Sequence, residues 1–133
     1  MDTFVHIQVY SAFSFLWGTF TPEDLVLKAA GLGQKAVALT DFGMHGVVRF
    51  YKAALQSGIQ PIVGATVSIW DGSRVVFLTP DLESYGNLCR MISLAYYGGM
   101  SQKRLLTKQD VAHWSGGLIC LAGGRQSRTY SLV

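Results

Sequence analysis

Residues 35–40, KAVALT, constrain the fold of this chain more than any other stretch. They are apolar with little alternation, so they describe a strand covered on both faces, as in a parallel sheet flanked by helices. Turn residues bound the run, Gly31-Leu32-Gly33 before it and Asp41-Phe42-Gly43 after it. Upstream, Thr21-Pro22-Glu23-Asp24 opens a helix: Thr21 is the N-cap, Pro22 takes the first helical position, and acids occupy the first turn. Leu25, Val26, Ala29 and Ala30 make its apolar face, and Gly31 to Gly33 end it. A second helix covers about residues 46–56, with Val47, Val48, Tyr51, Ala54 and Leu55 on one side and Gly58 as its stop.

The same punctuation continues along the chain. Residues 4–10 alternate as a strand, with Val5, Ile7 and Val9 on one face and Phe4, His6, Gln8 and Tyr10 on the other. Residues 62–70 form a third strand, Asp71-Gly72 a turn, and residues 75–78 a fourth strand in a hairpin with the third. Asp81 caps a helix that reaches about Tyr96 and closes at Gly98-Gly99. Thr107, with Asp110 three residues on, marks a short capped helix, and residues 117–122, GLICLA, form a fifth strand. Strands alternating with helices predict an α/β fold of about five strands, with a largely parallel sheet and right-handed connections. No repeat or linker divides the 133 residues, so one domain is expected. Sites in such folds lie at the C-terminal strand ends, here Gln8 to Tyr10, Asp41-Phe42, Thr66 and Gly123-Gly124.

Composition excludes several classes. Half of the residues are hydrophobic and only 14% charged, so the chain is not disordered. Its apolar runs fall short of the roughly 18 to 20 residues of a spanning helix, which argues against a membrane role. The N-terminus carries Asp2 and no basic region, unlike a signal peptide, and the cytoplasm is the expected compartment. A net charge of +3 drawn from few charges does not make a nucleic-acid surface. Lys103, Arg104, Lys108, Arg125 and Arg128 give the C-terminal third a mild basic bias that a solvated face explains as well as a phosphate patch. Cys89 and Cys120 have no Cys or His at ligand spacing and read as buried free thiols.

The strand ends hold few groups that do chemistry. His6 lies at the start of a strand, His45 in a loop before a helix, and His113 beside Trp114; each reads as structural or solvated. Asp41 is the best carboxylate candidate because it follows the buried strand, although bracing the next loop is the simpler role. Glu23 and Glu83 both occupy first turns of helices, where the helix dipole accounts for them. Ser11 and Ser14 have no His-Asp arrangement that would make a nucleophile. Gly31-Leu32-Gly33 and Gly123-Gly124 complete neither a phosphate loop nor a dinucleotide fingerprint. Phe13, Phe15, Trp17 and Phe20 read as core and not as a base-stacking platform.

Longer blocks carry a family resemblance. The run SAFSFLWGTFTPEDLVLKAAGLGQKAVALTDFG, with GVVRFYKAALQSGIQPIVGATV, YGNLCRMISLAY and GGLICLAGG, closely resembles the N-terminal PHP (polymerase and histidinol phosphatase) domain of bacterial DNA polymerase III alpha subunits. The match is collinear from Phe4 to Gly124. Ser11-x-Phe13-Ser14-Phe15-Leu16-x-Gly18 and Tyr85-Gly86-Asn87-Leu88-Cys89-Arg90 look most like the error-prone class, and TDFG followed by FYKAA is closer to the replicative class. The resemblance implies a distorted, seven-stranded (β/α) barrel, whose N-terminal part residues 1–124 supply, with residues 125–133 as a polar tail. In metal-competent members it also implies a trinuclear zinc or manganese site at the C-terminal strand ends that hydrolyses phosphoesters.

Carried over position by position, the ligands of that site are missing. The first strand's His-x-His becomes Gln8 and Tyr10, and the Asp before the next Gly becomes Trp17. The His of the family's TDHG block becomes Phe42, with Asp41 retained, and the bridging Glu becomes Thr66. The His opening the following strand becomes Arg74, the Cys or His after the fifth strand becomes Gly124, and the final Asp-x-His lies beyond residue 133. Phe, Trp and Gly supply no ligand atom, and Arg74 repels a cation. The resemblance therefore implies a module without metal or cofactor, its former cavity filled by Tyr10, Trp17 and Phe42. Such a module braces other polymerase modules or subunits and contacts the proofreading exonuclease. Three other readings compete: a phosphoesterase with Asp41, His45 and His6 as substitute ligands, a stand-alone homo-oligomeric binder, and a DNA-binding unit using Arg125 and Arg128.

Overall fold

The computed structural model describes residues 4–97 and 105–122. Its elements run α1 (Pro22–Gly31), β1 (Ala36–Leu39), α2 (Val47–Gln56), β2 (Gln60–Ser68), β3 (Arg74–Thr79), α3 (Leu82–Tyr96), α4 (Lys108–Trp114) and β4 (Ile119–Leu121). The strands form one mixed sheet in the order β1-β2-β3-β4. The chain divides into two compact units, Met1–Ala65 and Thr66–Val133, with the boundary inside β2.

In the first unit β1 pairs in parallel with the start of β2, from Ala36↔Gln60 to Leu39↔Val63. The helix α1 begins as its sequence dictates: the Thr21 hydroxyl accepts the Asp24 N–H at 3.1 Å, with Pro22 in the first turn. Pro22, Leu25, Val26 and Ala29 are its buried residues, a helical spacing that lays one face on the core. That core consists of Leu25, Val26, Ala29, Val37, Leu39, Phe50, Ala54 and Ile59, edged by Val9 and Ala53.

Helix α2 is rotated from its expected phase. It buries Val47, Phe50 and Ala54, whereas Val48, Tyr51 and Leu55 face outward. Gly46 sets this rotation: a Cβ there would stand 2.9 Å from the Phe13 ring and 3.1 Å from Pro22, so the helix start is pressed against both. On α1 the expected face is buried except for Ala30, which is exposed.

The expected first strand is an extended segment and not a ladder. Residues 4–10 lie along β1, with the Ala38 N–H donating to the His6 carbonyl and the Thr40 N–H to the Val9 carbonyl, both at 2.9 Å. Their own donors go to side chains: the His6 N–H to Gln34 Oε1 at 3.3 Å and the Val9 N–H to Thr40 Oγ1 at 3.0 Å. Side-chain acceptors have displaced the carbonyls that a regular ladder needs. Four strands, not five, are formed among the described residues.

In the second unit the Asp71-Gly72 turn joins β2 to β3 as expected, with Ser73 N–H and Oγ both donating to Asp71 and Gly72 at φ +82°. Strand β4 pairs antiparallel with β3, through Val76↔Leu121, Phe77↔Cys120 and Leu78↔Ile119, so the sheet is mixed where a largely parallel one was expected. Two helices packed on each other, α3 and α4, connect these strands in place of the single return helix of a βαβ unit. Both begin with a capping box, Asp81 with Ser84 and Thr107 with Asp110. Cys89 is half-buried and Cys120 exposed, so the expectation of two buried thiols fails at β4, whose Ile119 and Cys120 are both exposed. The expected helix stop at Gly98-Gly99, the residues Lys103 and Arg104, and the tail with Gly123, Gly124, Arg125 and Arg128 lie outside the described residues. No helix among the described residues is long and apolar enough to cross a membrane.

Candidate functional site at the end of β1

Everything converges on Asp41, which follows β1 through Thr40 and is 2% exposed. Its Oδ1 accepts the Ser11 N–H at 2.7 Å and the Ser14 hydroxyl at 2.6 Å, while its Oδ2 accepts the Ser11 hydroxyl at 2.6 Å. A buried carboxylate is costly unless it is hydrogen-bonded, and here both oxygens are engaged by short, charge-assisted bonds. Ser11 and Ser14 are themselves fully buried and pass the order on, Ser11 Oγ accepting the Phe13 N–H and Ser14 Oγ the Phe42 N–H, each at 3.2 Å. The Ser-Asp-Ser clamp thus ties the loop of residues 11–20 to the strand end. Asp41 is a brace, but of the loop that precedes β1 and not of the following loop for which that role was expected.

The loop is further fixed by its own backbone. Trp17 N–H and Gly18 N–H donate to the Ser14 carbonyl, and Ala12 N–H donates to the Phe20 carbonyl at 2.7 Å. A Cβ at Gly18 would run into the carbonyl oxygens of Tyr10 and Ser11, so only glycine permits this closure.

Above the clamp the side chains of Tyr10, Trp17 and Phe42 pack together. Tyr10 stacks on Phe42 at a centroid distance of 5.2 Å and an interplanar angle of 17°. Trp17 meets Phe42 edge-on at 5.5 Å and Tyr10 at 5.7 Å. Gln8 Nε2 donates to the Tyr10 hydroxyl at 3.2 Å. Each aromatic contact of this geometry is worth about 0.5–1.5 kcal/mol beyond its area. The structure therefore brings together the first four positions at which the resemblance places metal ligands.

These side chains do not fit zinc or manganese. Trp17 and Phe42 carry no ligand atom, Gln8 turns its Nε2 donor to the Tyr10 hydroxyl, and both Asp41 oxygens accept hydrogen bonds from the serines. The substitute ligands do not assemble either. His6 is exposed and pairs through Nδ1 with Gln34 Nε2 at 2.7 Å, its ring edge-on to Phe4. His45 is exposed in the loop before α2, and His113 lies on α4 against Trp114. Among the described residues no three His, Cys, Asp or Glu side chains gather. In the second unit Thr66 is buried in β2 and Arg74 half-buried at the start of β3.

Sequence reasoning missed three features. Ser11 and Ser14 were weighed only as nucleophiles; two serines three apart in an otherwise apolar loop were the signal for a buried polar partner. Arg49 grips Glu23 at both carboxylate oxygens, 2.7 and 2.8 Å, and holds its carboxyl below the usual range, so more than the helix dipole fixes that residue. Phe13, Phe15, Trp17 and Phe20, expected in the core, are 43%, 84%, 49% and 51% exposed.

A PHP domain family profile matches residues 6–132. The chain is 36% identical over 135 residues to DNA polymerase III subunit alpha of Buchnera aphidicola subsp. Schizaphis graminum, covering 95% of this chain and 12% of that protein. It is 37% identical over 130 residues to the Escherichia coli K12 subunit, covering 92% and 11%, and 35% identical over 148 residues to the error-prone DNA polymerase of Symbiobacterium thermophilum, covering 98% and 14%. The chain thus spans about an eighth of the relatives it matches. Among solved structures, an amidohydrolase from Chromobacterium violaceum with bound sulfate and no metal superimposes with a TM-score of 0.58 at 24% identity, over 71% of this chain and 34% of that one. A candidate metal-dependent phosphoesterase from Bifidobacterium adolescentis gives 0.55 at 23%, over 70% and 32%. At these identities the likeness is one of fold: the chain carries part of a PHP-type barrel.

Proposed function

This chain belongs to the PHP domain family, and from that premise we propose that it is a non-hydrolytic PHP module of a DNA polymerase III alpha-type subunit. It acts as a scaffold and protein-interaction domain in bacterial DNA replication or error-prone repair synthesis, in the cytoplasm. The observation that carries this reading is the Tyr10-Trp17-Phe42 stack over a clamped Asp41, at positions where the family resemblance places metal ligands. A hydrolytic PHP site needs ions to polarise the phosphoester and to lower the pKa of a bound water. Packed aromatic rings supply neither function. What they do supply is a rigid strand end and loop, as a scaffold requires. Polymerase chemistry, in this reading, belongs to the remainder of a subunit like the relatives.

Elemental analysis of the purified chain, dialysed against zinc and then manganese, tests the proposal together with hydrolysis of bis(p-nitrophenyl) phosphate. The expected result is no stoichiometric metal and no turnover above buffer. Stoichiometric metal with phosphoesterase activity that Asp41→Ala abolishes would overturn it in favour of substitute ligands.

A further inference from the structure

The clamped loop turns its most apolar side chains outward. Phe15 is 84% and Leu16 88% exposed, at adjacent positions of the tip, with Trp17 and Phe20 half-exposed beside them. Leu16 holds φ +66°, a left-handed conformation unfavourable for a bulky side chain. Solvated turns take Gly, Asn or Asp at such positions. Strain retained in a well-anchored backbone concentrates at functional sites, and contiguous exposed apolar surface marks interaction surfaces. The anchoring here is the buried Ser11-Asp41-Ser14 network beneath the tip.

Charge decides what the tip fits. Residues 3–22 contain no Asp, Glu, Lys or Arg. Single-stranded nucleic acid is held by cations placed beside aromatic platforms, and this loop provides none. Arg49, whose guanidinium lies 5.7 Å from the Phe13 centroid, is already gripped by Glu23. An uncharged aromatic-aliphatic pair on a rigid support instead matches the buried anchor of a protein interface. Two side chains alone fall well short of the roughly 800 Å² per partner of a stable symmetric dimer, which disfavours a second copy as occupant. The matched relatives carry this segment as 12% or 14% of a much longer polymerase, so in such a protein the remainder of the chain is tethered to it at high effective concentration.

We infer that Phe15 and Leu16 form a docking knob that inserts into an uncharged apolar pocket on the polymerase portion of an alpha-type subunit. The inference rests on the scaffold reading above and gives that scaffold a contact surface.

Hydroxyl-radical footprinting, read residue by residue by mass spectrometry, tests it. The 133-residue chain alone is compared with the same chain set in place of the matched segment of the Escherichia coli alpha subunit, primer extension reporting that the polymerase portion is folded. The expected result is free oxidation of Phe15 and Leu16 in the chain alone, and oxidation about tenfold slower in the larger protein, as for desolvated anchor residues. Phe15→Ser with Leu16→Ser then leaves the unfolding of the chain alone unchanged and loosens the domain in the larger protein, seen as faster limited proteolysis at its boundary. Equal oxidation of the tip in both proteins overturns the inference. So does protection that grows with the concentration of the chain alone, which assigns the knob to a second copy, or protection by added oligothymidylate. If the substituted subunit fails to extend a primer, the chain added in trans to the subunit lacking its matched segment gives the same readout. Bound zinc or manganese would sink the scaffold reading while leaving the footprint result standing.

Discussion

Replacing Asp41 tests whether the clamp holds the loop. Asp41→Ala removes the acceptor of three buried donors, the Ser11 N–H, the Ser11 hydroxyl and the Ser14 hydroxyl. An unsatisfied buried donor costs about 1–3 kcal/mol, with hydroxyls at the lower end because they can rotate toward other acceptors. Relief of the carboxylate's own burial returns part of this, so the net loss is about 3–5 kcal/mol, as when a buried charged network loses one member. Asp41→Asn keeps an oxygen where Oδ1 accepts two of the three bonds but puts an NH2 donor in place of Oδ2, so the charge is lost and the Ser11 hydroxyl must rotate to accept from the amide; about 1–2 kcal/mol is expected. Ser14→Ala should fall near or just above Asn, because it removes one bond to the carboxylate and also the acceptor of the Phe42 N–H. Urea unfolding followed by circular dichroism gives the ranking. With a slope of about 2 kcal/mol/M, the alanine variant's midpoint falls by roughly 2 M and the asparagine variant's by less than about 1 M. An alanine variant within about 1 kcal/mol of the parent, or indistinguishable from asparagine, would refute the clamp as the element that fixes this loop.

Gly18→Ala drives a methyl group into the Tyr10 and Ser11 carbonyls and should cost about 1–3 kcal/mol by urea midpoint, whereas Gly31→Ala, whose Cβ meets nothing within 4 Å, should stabilise by about 0.5–1 kcal/mol. Phe50→Ala in α2 should cost about 3–5 kcal/mol and Tyr51→Ala, 47% exposed, under about 1 kcal/mol; the reverse order would mean that the helix is rotated to its sequence-expected phase. The pH dependence of the Glu23–Arg49 pair follows from its sign. Arg49 lowers the Glu23 pKa below 4.5, so the pair stabilises the fold above that pH, and the contribution is lost as pH falls through the lower folded value. Glu23→Gln should therefore flatten the acid limb of the unfolding midpoint, weakly and less so in high salt, because the pair is half-exposed.

Local chemistry was legible in the sequence wherever one residue type decides the outcome. Thr21-Pro22, Asp81 and Thr107 cap helices because a short side-chain acceptor satisfies free N–H groups at a helix start, and no distant residue enters that choice. The Asp71-Gly72 turn and the glycine stop after α2 are equally local. Errors arose where a distant partner decides. The phase of α2 depends on Gly46 meeting Phe13, residues 33 positions apart. The first strand failed because Gln34 and Thr40 offered side-chain acceptors in place of carbonyls. The sheet is mixed and not largely parallel, because β4 runs antiparallel to its distant partner β3. Asp41 was read as a brace of the loop after it, whereas it holds the loop of residues 11–20, because its serine partners could not be paired with it by spacing alone.

The loop of residues 11–20 shows why the rule that aromatics belong to the core divided its residues wrongly. Ser11 and Ser14, a helical turn apart in sequence, are drawn inward to Asp41, and that choice fixes the orientation of every side chain between Tyr10 and Gly18. Tyr10 and Trp17, at the two ends, fold over the clamp onto Phe42. Phe15 and Leu16, following the second serine, have nowhere to turn but outward, and Leu16 takes up the left-handed backbone that closes the turn. Hydrophobicity alone gives these four residues one destination, the interior. The buried carboxylate gives them two, a packed aromatic stack where the family resemblance places metal ligands and an apolar tip beyond it. In the non-hydrolytic reading proposed above, a retained Asp41 is physically consistent: the carboxylate and its two serines order the strand end themselves, and they hold the tip in the strained form that the proposed docking surface needs.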